Sequence, residues 1–350
     1  MIIGETYGHG GDIYKNKIRL DFSVNTNPLG TPPEVRRAVE AAASQLSAYP
    51  DPRCGELREA LSAALGVDRE DILCGNGAAE LIFQFVFALR PKRALLPVPS
   101  FSEYEAALEA AGCQPDFYPL RRENGFLLTE EILEHITPDT ELLMLCSPNN
   151  PTGKCVPREL LQKILDRCRE TGTWLFLDEC FLELSDPGSA VSLIPVLYAD
   201  DRVLVLRAFT KLYGMAGVRL GYAVCRQQDA AEAMCRLVQP WNVSSLAQAA
   251  GTAALDCTEF VEKSRAVISR EKAYLLRELR KLGISVLPGE ANYLLLSGVP
   301  GLYEQLLARG ILIRSCENFR GLGAGDCRIA VRTHAENAAL IAALREIYHA

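Results

Sequence analysis

Two ionisable side chains stand close to the ends of apolar runs in this 350-residue chain. Asp178 follows the apolar residues 175–177, and Lys211 comes shortly after an apolar run that ends at Leu206. A carboxylate at the end of a buried strand needs a cationic partner, because its burial is otherwise costly. The protonated nitrogen of an aromatic ring meets that need; a metal ion, a sugar or the N-cap of a helix are the alternatives. A desolvated lysine near other cations reaches its neutral form and can form an imine with an aldehyde, whereas a lone lysine is ordinarily a solvated surface residue.

Two loops between apolar runs could hold the other parts of a ligand. In residues 74–80, Cys-Gly-Asn-Gly-Ala-Ala-Glu, glycines turn the chain before an apolar helix, which exposes backbone N–H groups to an anion. The motif is close to a dinucleotide fingerprint, but Glu80 stands in place of the third glycine, and a plain tight turn is an equal alternative. In residues 147–153, two prolines and a glycine fix Asn150, which either presents its amide to a ligand or belongs to an Asn-rich turn. Thr210 and Arg219 can bind a phosphate.

The elements that must position these residues alternate along the chain. Continuously apolar runs separated by helical patterns are typical of a sheet that is buried on both faces. The order predicts a mostly parallel α/β sheet, which binds ligands beyond the carboxyl ends of its strands. The predicted strands are Ile72–Cys74, Arg93–Leu96, Gln114–Tyr118, Leu142–Cys146, Trp174–Leu177, Val203–Leu206 and Arg219–Val224.

A smaller α+β domain is predicted to follow this sheet. After about residue 245 the pattern changes to a long helical stretch, 246–282, and then to short strands between helices. We therefore predict a large domain at 48–245, and a second unit formed by the N-terminal arm, 1–47, together with 246–350.

The composition excludes several classes of function. A formal net charge of −7 argues against a nucleic-acid partner, because no basic face dominates. The 12 cysteines are scattered singly and no apolar segment of a secretory signal opens the sequence, so we expect reduced thiols in a cytoplasmic protein. No apolar run approaches the ~18 residues that span a bilayer. No cluster of histidines and carboxylates predicts a metal site.

The order of these motifs resembles that of the fold-type I enzymes of the aspartate aminotransferase superfamily, which depend on pyridoxal 5′-phosphate (PLP). The resemblance covers essentially the whole chain and is carried by the residues at 150–153, Asn-Pro-Thr-Gly, 178–179, Asp-Glu, 210–211, Thr-Lys, and 217–222, Gly-Val-Arg-Leu-Gly-Tyr. It implies a large, mostly parallel seven-stranded α/β/α domain plus a smaller α+β domain. It also implies that Lys211 holds PLP as a Schiff base and that Asp178 pairs with the pyridine nitrogen. Further cofactor contacts are implied for Gly77, Ala78, Phe101, Asn150, Thr210 and Arg219, and for Tyr49 across the interface of a homodimer.

Two subfamilies resemble the chain most: L-threonine-O-3-phosphate decarboxylase of cobalamin biosynthesis and histidinol-phosphate aminotransferase. The stretches 9–11, 20–23, 27–30, 291–296 and 311–316 favour the decarboxylase. Phe181 favours it too, because aminotransferases of this group usually carry a tyrosine there. Ala208 departs from the decarboxylase pattern, in which a serine is more usual. The resemblance implies that a phosphorylated amino acid loses CO₂ after it is bound by His9, Asn27, Arg314 and Arg328.

Two other classes of function have less support. One is a regulator that binds PLP without catalysis, since some members of the superfamily are fused to DNA-binding domains; from this sequence we expect neither such a domain nor a basic recognition helix. A plain nucleotide-binding α/β protein is supported only by the glycines at 75–77 and 321–325.

Overall fold

The structure is a computed structural model that describes residues 8–14, 17–186, 188–189 and 191–348. The strands within these residues are β1 Leu20–Asp21, β2 Ile72–Gly75, β3 Arg93–Val98, β4 Gln114–Pro119, β5 Leu142–Cys146, β6 Trp174–Asp178, β7 Val203–Ala208, β8 Gly221–Val224, β9 Ser285–Leu287, β10 Tyr293–Ser297, β11 Ile311–Leu312, β12 Arg314–Ser315 and β13 Cys327–Ala330. The α-helices within them are α1 Pro33–Ala42, α2 Gly55–Leu65, α3 Ala78–Leu89, α4 Ser102–Ala110, α5 Ile132–His135, α6 Arg158–Thr171, α7 Phe209–Leu212, α8 Gln228–Cys235, α9 Ser245–Leu255, α10 Thr258–Lys281, α11 Leu302–Leu307 and α12 His334–Tyr348. In this described part of the chain, no helix has both the length and the apolar character that crossing a membrane requires.

Seven strands form the large sheet, in the order β2-β8-β7-β6-β5-β3-β4. Strands β3 to β7 run parallel to their neighbours among themselves, and β8 is antiparallel to both β7 and β2. The mostly parallel α/β sheet is therefore confirmed. Each predicted strand is present, with ends that differ from the prediction by two residues at most.

Both faces of this sheet are buried, and successive strand residues serve opposite faces. Leu143 and Leu145 of β5 belong to one hydrophobic core cluster, and Leu142 and Met144 belong to the other. Helix α6 contributes to the first cluster, whereas α3 and α4 contribute to the second. A strand covered on both sides needs an apolar residue at every position, which explains the continuous apolar runs.

The carboxyl-terminal part of the chain forms a second sheet. Its strands are antiparallel and lie in the order β12-β13-β10-β9. The N-terminal segment joins this part, since β1 pairs in parallel with β11 and Leu20 lies opposite Ile311. The stretch predicted as one helix at 246–282 is two, α9 and α10, with the break at Asp256 and Cys257. The carboxylate of Asp256 lies just before the start of α10, where a negative charge is favourable for the helix dipole. The domain boundaries at 48 and 245 stay a prediction.

Candidate active site

A cavity of about 250 Å³ opens at the carboxyl ends of β5, β6 and β7. The last residues of these strands, Cys146, Asp178 and Ala208, all line it. Parallel strands end at the same edge of a sheet, so motifs that are distant in sequence meet there. The residues that line the cavity form two groups. Those from the large sheet and its helices are called the floor. Those from the N-terminal segment and the small sheet are called the roof, which consists of His9, Gly10, Ser23, Val24, Asn25, Arg314, Phe319 and Arg328.

Asp178 is a buried carboxylate with partners of its own in the floor. The Tyr104 hydroxyl donates a hydrogen bond of 2.6 Å to one carboxylate oxygen, and the backbone N–H of Cys180 donates one of 2.8 Å to the other. Burial raises the pKa of Asp178, and the bonds from Cys180 and Tyr104 partly offset that rise. These bonds fix the carboxylate at the end of β6, where it can pair with a cationic ring nitrogen.

Lys211 lies in the short helix α7, directly after β7, and lines the same cavity. Burial, together with the positive charge of Arg328, lowers the pKa of Lys211 to about 8. Its ammonium nitrogen is 5.6 Å from the ring centroid of Phe181. A lysine with this pKa is partly neutral near physiological pH, which is what attack on an aldehyde requires.

The amino end of helix α3 forms an anion-binding corner of the floor. Ala78, the first residue of α3, lines the cavity with Thr210 and Arg219, and N–H groups at a helix start attract an anion. Gly77 has φ of +86°, and a Cβ there would lie 2.5 Å from Nη2 of Arg219. Glycine is therefore required for the arginine to approach the loop this closely.

Phe101 and Asn150 complete the floor at the ring position of the predicted cofactor. Phe101 lines the cavity, and its ring meets that of Tyr104 edge-on at 5.7 Å. The Oδ1 atom of Asn150 accepts a hydrogen bond from Nη1 of Arg328, whereas no acceptor for its Nδ2 group lies among the described residues. That N–H group is available to a ligand oxygen.

The roof carries two buried arginines, Arg314 and Arg328. Burial lowers the pKa of Arg314 to about 10 and also lowers that of Arg328. Arg328 donates a bond of 2.8 Å to the carbonyl of Ser23, while its Nε is buried without a hydrogen-bond partner. Neither arginine pairs with a carboxylate within the described ranges, so both are suited to bind anionic ligand groups.

Of two predicted substrate residues, His9 and Asn27, only His9 lines the cavity. His9 lines the cavity, and its Nε2 is 3.1 Å from a carboxylate oxygen of Glu103. Asn27 does not line the cavity: its Nδ2 donates to the carbonyl of Leu212 and to Ser264 Oγ, both at 2.7 Å, and its Oδ1 accepts from a backbone N–H. The prediction that Asn27 contacts substrate is thus corrected, because its hydrogen bonds tie protein segments together.

Asn25 takes the place in the roof that sequence reasoning gave to Asn27. It lines the cavity, and its buried Oδ1 has no hydrogen-bond partner. Tyr104 was missed as well: it lies in the first turn of α4, which begins directly after Phe101, and no local pattern connects it to Asp178. Among the described residues, no group of His, Cys, Asp and Glu side chains is arranged to hold a metal ion.

Tyr49 lies apart from the cavity of its own chain. It is 78% exposed, and its ring stacks on that of Trp241 with centroids 4.3 Å apart. The predicted contact of Tyr49 with the cofactor of a second subunit stays a prediction.

Comparison with known proteins identifies the family. The model of the family "Aminotransferase class I and II" matches residues 17–344. Threonine-phosphate decarboxylase of Salmonella typhimurium is 41% identical over 94% of this chain and 91% of that protein. Histidinol-phosphate aminotransferase of Methanosarcina mazei is 35% identical over 97% of this chain and 90% of that protein. The crystal structure of histidinol-phosphate aminotransferase from Clostridium acetobutylicum superposes with a TM-score of 0.87 at 29% identity, covering 94% of this chain and 99% of that one.

The floor fits PLP group by group. The Lys211 amine suits the aldehyde, the Asp178 carboxylate suits the pyridine nitrogen, and the start of α3 with Arg219 suits the phosphate. The chain therefore belongs to the aminotransferase class I and II family, and it is a fold-type I enzyme whose cofactor is pyridoxal 5′-phosphate.

Proposed function

We propose that the chain decarboxylates L-threonine O-3-phosphate to (R)-1-amino-2-propanol O-phosphate. The observation that carries the proposal is the pair of roof arginines, Arg314 and Arg328, which are buried and have no carboxylate partner in the described part of the chain. Buried cations need counter-charges, so the pair suits a substrate with two anionic groups. L-threonine O-3-phosphate carries both anionic groups in one molecule, a carboxylate and a phosphate. Histidinol phosphate carries only a phosphate, and the second anion in an aminotransferase would belong to a separate co-substrate, glutamate, whose two carboxylates would meet the same pair; the choice of reaction therefore rests on the further observations given below.

Each anionic group has its own partner in this proposal. Arg328 binds the carboxylate, because a planar guanidinium suits bidentate hydrogen bonding, and Arg314 and His9 bind the phosphate. The bond that breaks at Cα is the one that stands perpendicular to the plane of the cofactor ring. In this proposal the grip of Arg314 and His9 on the phosphate turns the amino acid so that the bond to the carboxylate, rather than the bond to hydrogen, would take that direction.

The floor supplies the chemistry that follows binding. PLP, when bound, accepts the electrons of the bond that breaks at Cα. Asp178 holds its negative charge beside the ring nitrogen, with Tyr104 and Cys180 as hydrogen-bond donors. The proton that replaces CO₂ on Cα comes from Nζ of Lys211, whose pKa of about 8 lets it gain and lose a proton near neutral pH.

Two further observations support decarboxylation over transamination. The identity to the Salmonella decarboxylase, 41%, exceeds the 35% identity to the Methanosarcina aminotransferase. Phe181 lines the cavity without a hydroxyl group, and its ring packs edge-on against Tyr293 at 5.0 Å. No donor to the ring oxygen exists at this position, as the resemblance to the decarboxylase implies.

The proposal extends to assembly, compartment and pathway. The exposed stack of Tyr49 on Trp241 suits a second copy of the chain, whose cofactor phosphate Tyr49 would reach. All 12 cysteines are free, which fits the reducing cytoplasm. The product is the linker of the corrin ring, so we propose a role in cobalamin biosynthesis.

Product analysis with two substrates tests the proposed reaction. The enzyme with PLP should release CO₂ and the amino alcohol phosphate in equal amounts from L-threonine O-3-phosphate. It should form no glutamate from 2-oxoglutarate with histidinol phosphate. Lys211→Ala, which lacks the reactive amine, should release no CO₂ and form no glutamate. Glutamate formation without CO₂ release would favour the alternative, a histidinol-phosphate aminotransferase.

A further inference from the structure

Asn318 connects the two roof elements that are proposed to bind phosphate. Its Oδ1 accepts a hydrogen bond of 2.8 Å from Nη2 of Arg314, and its Nδ2 donates one of 3.3 Å to the carbonyl of Gly8. Gly8 precedes His9, which lines the cavity together with Arg314. One side chain therefore joins the cation of the small sheet to the N-terminal segment.

The guanidinium of Arg314 is oriented by neutral partners. The carbonyl of Ser315 and Oδ1 of Asn318 accept its hydrogen bonds, and its Cζ is 5.0 Å from the ring centroid of Phe319. These groups fix the direction of the side chain without cancelling its charge. The charge of Arg314 thus remains available to an anion in the cavity.

The N-terminal segment 8–11 is also held beyond His9. The N–H of Gly11 donates to Ser23 Oγ at 2.7 Å, and Gly10 packs so closely that a Cβ there would lie 2.4 Å from the Ser23 carbonyl oxygen. The same carbonyl accepts a bond from Arg328. His9 therefore stands between one anchor on the Arg314 side and another on the Arg328 side.

From this arrangement we propose that Asn318 is a positioning residue that sets the preference for phosphorylated over unphosphorylated substrates. The inference rests on the proposed function, in which Arg314 and His9 bind the substrate phosphate. Asn318 holds the guanidinium of Arg314 and the backbone that precedes His9 in one arrangement before substrate arrives, and Glu103 lies 3.1 Å from Nε2 of His9. Less ordering is therefore needed when the phosphate binds. A neutral amide suits this role, because a carboxylate at the same place would pair with Arg314 and compete with the phosphate.

Two ligands that differ only in their phosphate test this inference: (R)-1-amino-2-propanol O-phosphate and (R)-1-amino-2-propanol. Neither has a carboxylate to lose, so calorimetric titration of the holoenzyme measures binding without decarboxylation. We expect N318A to raise the dissociation constant of the phosphate ester about tenfold, because a hydrogen bond to a charged group is lost. The dissociation constant of the free alcohol should not change. We expect N318D to weaken the ester further. N124A, at an exposed asparagine that does not line the cavity, should bind both ligands like the wild type.

The ratio of the two dissociation constants separates the outcomes. Asn318 is exposed, so its variants should melt at the wild-type temperature. An unchanged ratio in N318A and N318D overturns the inference, whether neither dissociation constant changes or both rise by the same factor, as a general structural effect would cause. If the wild type itself binds the two ligands equally, the proposed function fails, and the inference fails with it.

Discussion

The floor and the roof of the cavity differ in how far their buried polar atoms are hydrogen-bonded. In the floor, the Asp178 carboxylate accepts hydrogen bonds from Tyr104 and from the backbone of Cys180. In the roof, Nε of Arg328 and Oδ1 of Asn25 are buried without hydrogen-bond partners. A buried polar atom without a partner costs about 1–3 kcal/mol, and these two belong to residues that line the cavity, where a ligand can satisfy them.

This difference indicates that the floor and the roof bind different ligands. The floor holds its carboxylate, Asp178, through bonds inside the protein and leaves the amine of Lys211 and the Nδ2 group of Asn150 for a ligand, which suits a cofactor that stays in place. The roof has buried polar atoms without hydrogen-bond partners and two arginines without a carboxylate partner among the described residues. These groups are available to a substrate that enters and a product that leaves. Variants of the two sides should therefore fail in different ways: floor variants in holding the cofactor, and roof variants in binding the substrate.

The largest effect is expected from Lys211→Ala in the floor. Loss of the amine removes the covalent attachment of PLP, so the visible absorption band of the holoenzyme should disappear and turnover should fall by at least about 10³-fold. Lys163→Ala, which removes an exposed lysine on α6, is the matched control and should keep both. An absorption band and turnover that survive in Lys211→Ala would refute this role for the floor.

Arg314→Gln should weaken substrate binding by the roof and leave cofactor binding by the floor unchanged. Without the cation, KM for L-threonine O-3-phosphate should rise about 100-fold, in line with the loss of charged hydrogen bonds. The absorption band of the bound cofactor should not change. Arg37→Gln, at an exposed arginine of α1, controls for the loss of positive charge. Equal losses of cofactor and substrate binding in Arg314→Gln would remove the distinction between the two sides.

Tyr104→Phe should weaken the floor more mildly. The phenol donates to Asp178 and helps to lower its pKa, which burial raises, so the variant should hold less negative charge beside the ring nitrogen. We expect the dissociation constant of PLP to rise about tenfold, with KM for the substrate unchanged. Tyr198→Phe, at an exposed tyrosine, is the control. A change in KM alone would contradict the assignment of Tyr104 to the floor.

The smallest effect concerns the coupling between floor and roof. Only neutral Lys211 attacks the aldehyde, and its pKa is about 8, so PLP should attach slowly at pH 6 and faster as the pH rises through 8. Arg328 helps to lower this pKa, although burial is the larger cause. Arg328→Gln should therefore move the midpoint upward by less than about one pH unit. Rapid mixing of apoenzyme with PLP at a series of pH values measures the midpoint; a downward shift would contradict the coupling.

The floor could be predicted from the sequence because its signals are local. Asp178 and Lys211 each stand next to an apolar strand, and parallel strands end at one edge of the sheet. The turn at Gly77 before an apolar helix likewise indicated the anion-binding corner. Tyr104 escaped notice because its partner, Asp178, lies in another element, and only the packing of α4 on the sheet brings the two together.

The roof could not be predicted from local pattern, since its residues come from opposite ends of the chain. The bond from Arg328 to Ser23 spans 305 residues, and only resemblance to a known family suggested that the two regions meet. The choice of Asn27 over Asn25 shows the limit of that resemblance. Both asparagines are buried in the same loop, but their positions relative to the cavity depend on the path of the backbone there.

The fate of the hydrogen on Cα tests most directly whether this cavity performs decarboxylation. L-threonine O-3-phosphate that carries deuterium at Cα should be converted to (R)-1-amino-2-propanol O-phosphate that retains the deuterium, with one CO₂ released per amine, because the bond to the carboxylate is the one that breaks. Mass spectrometry of the product measures this. Loss of the deuterium to solvent with formation of a 2-oxo acid, and no CO₂, would contradict the account.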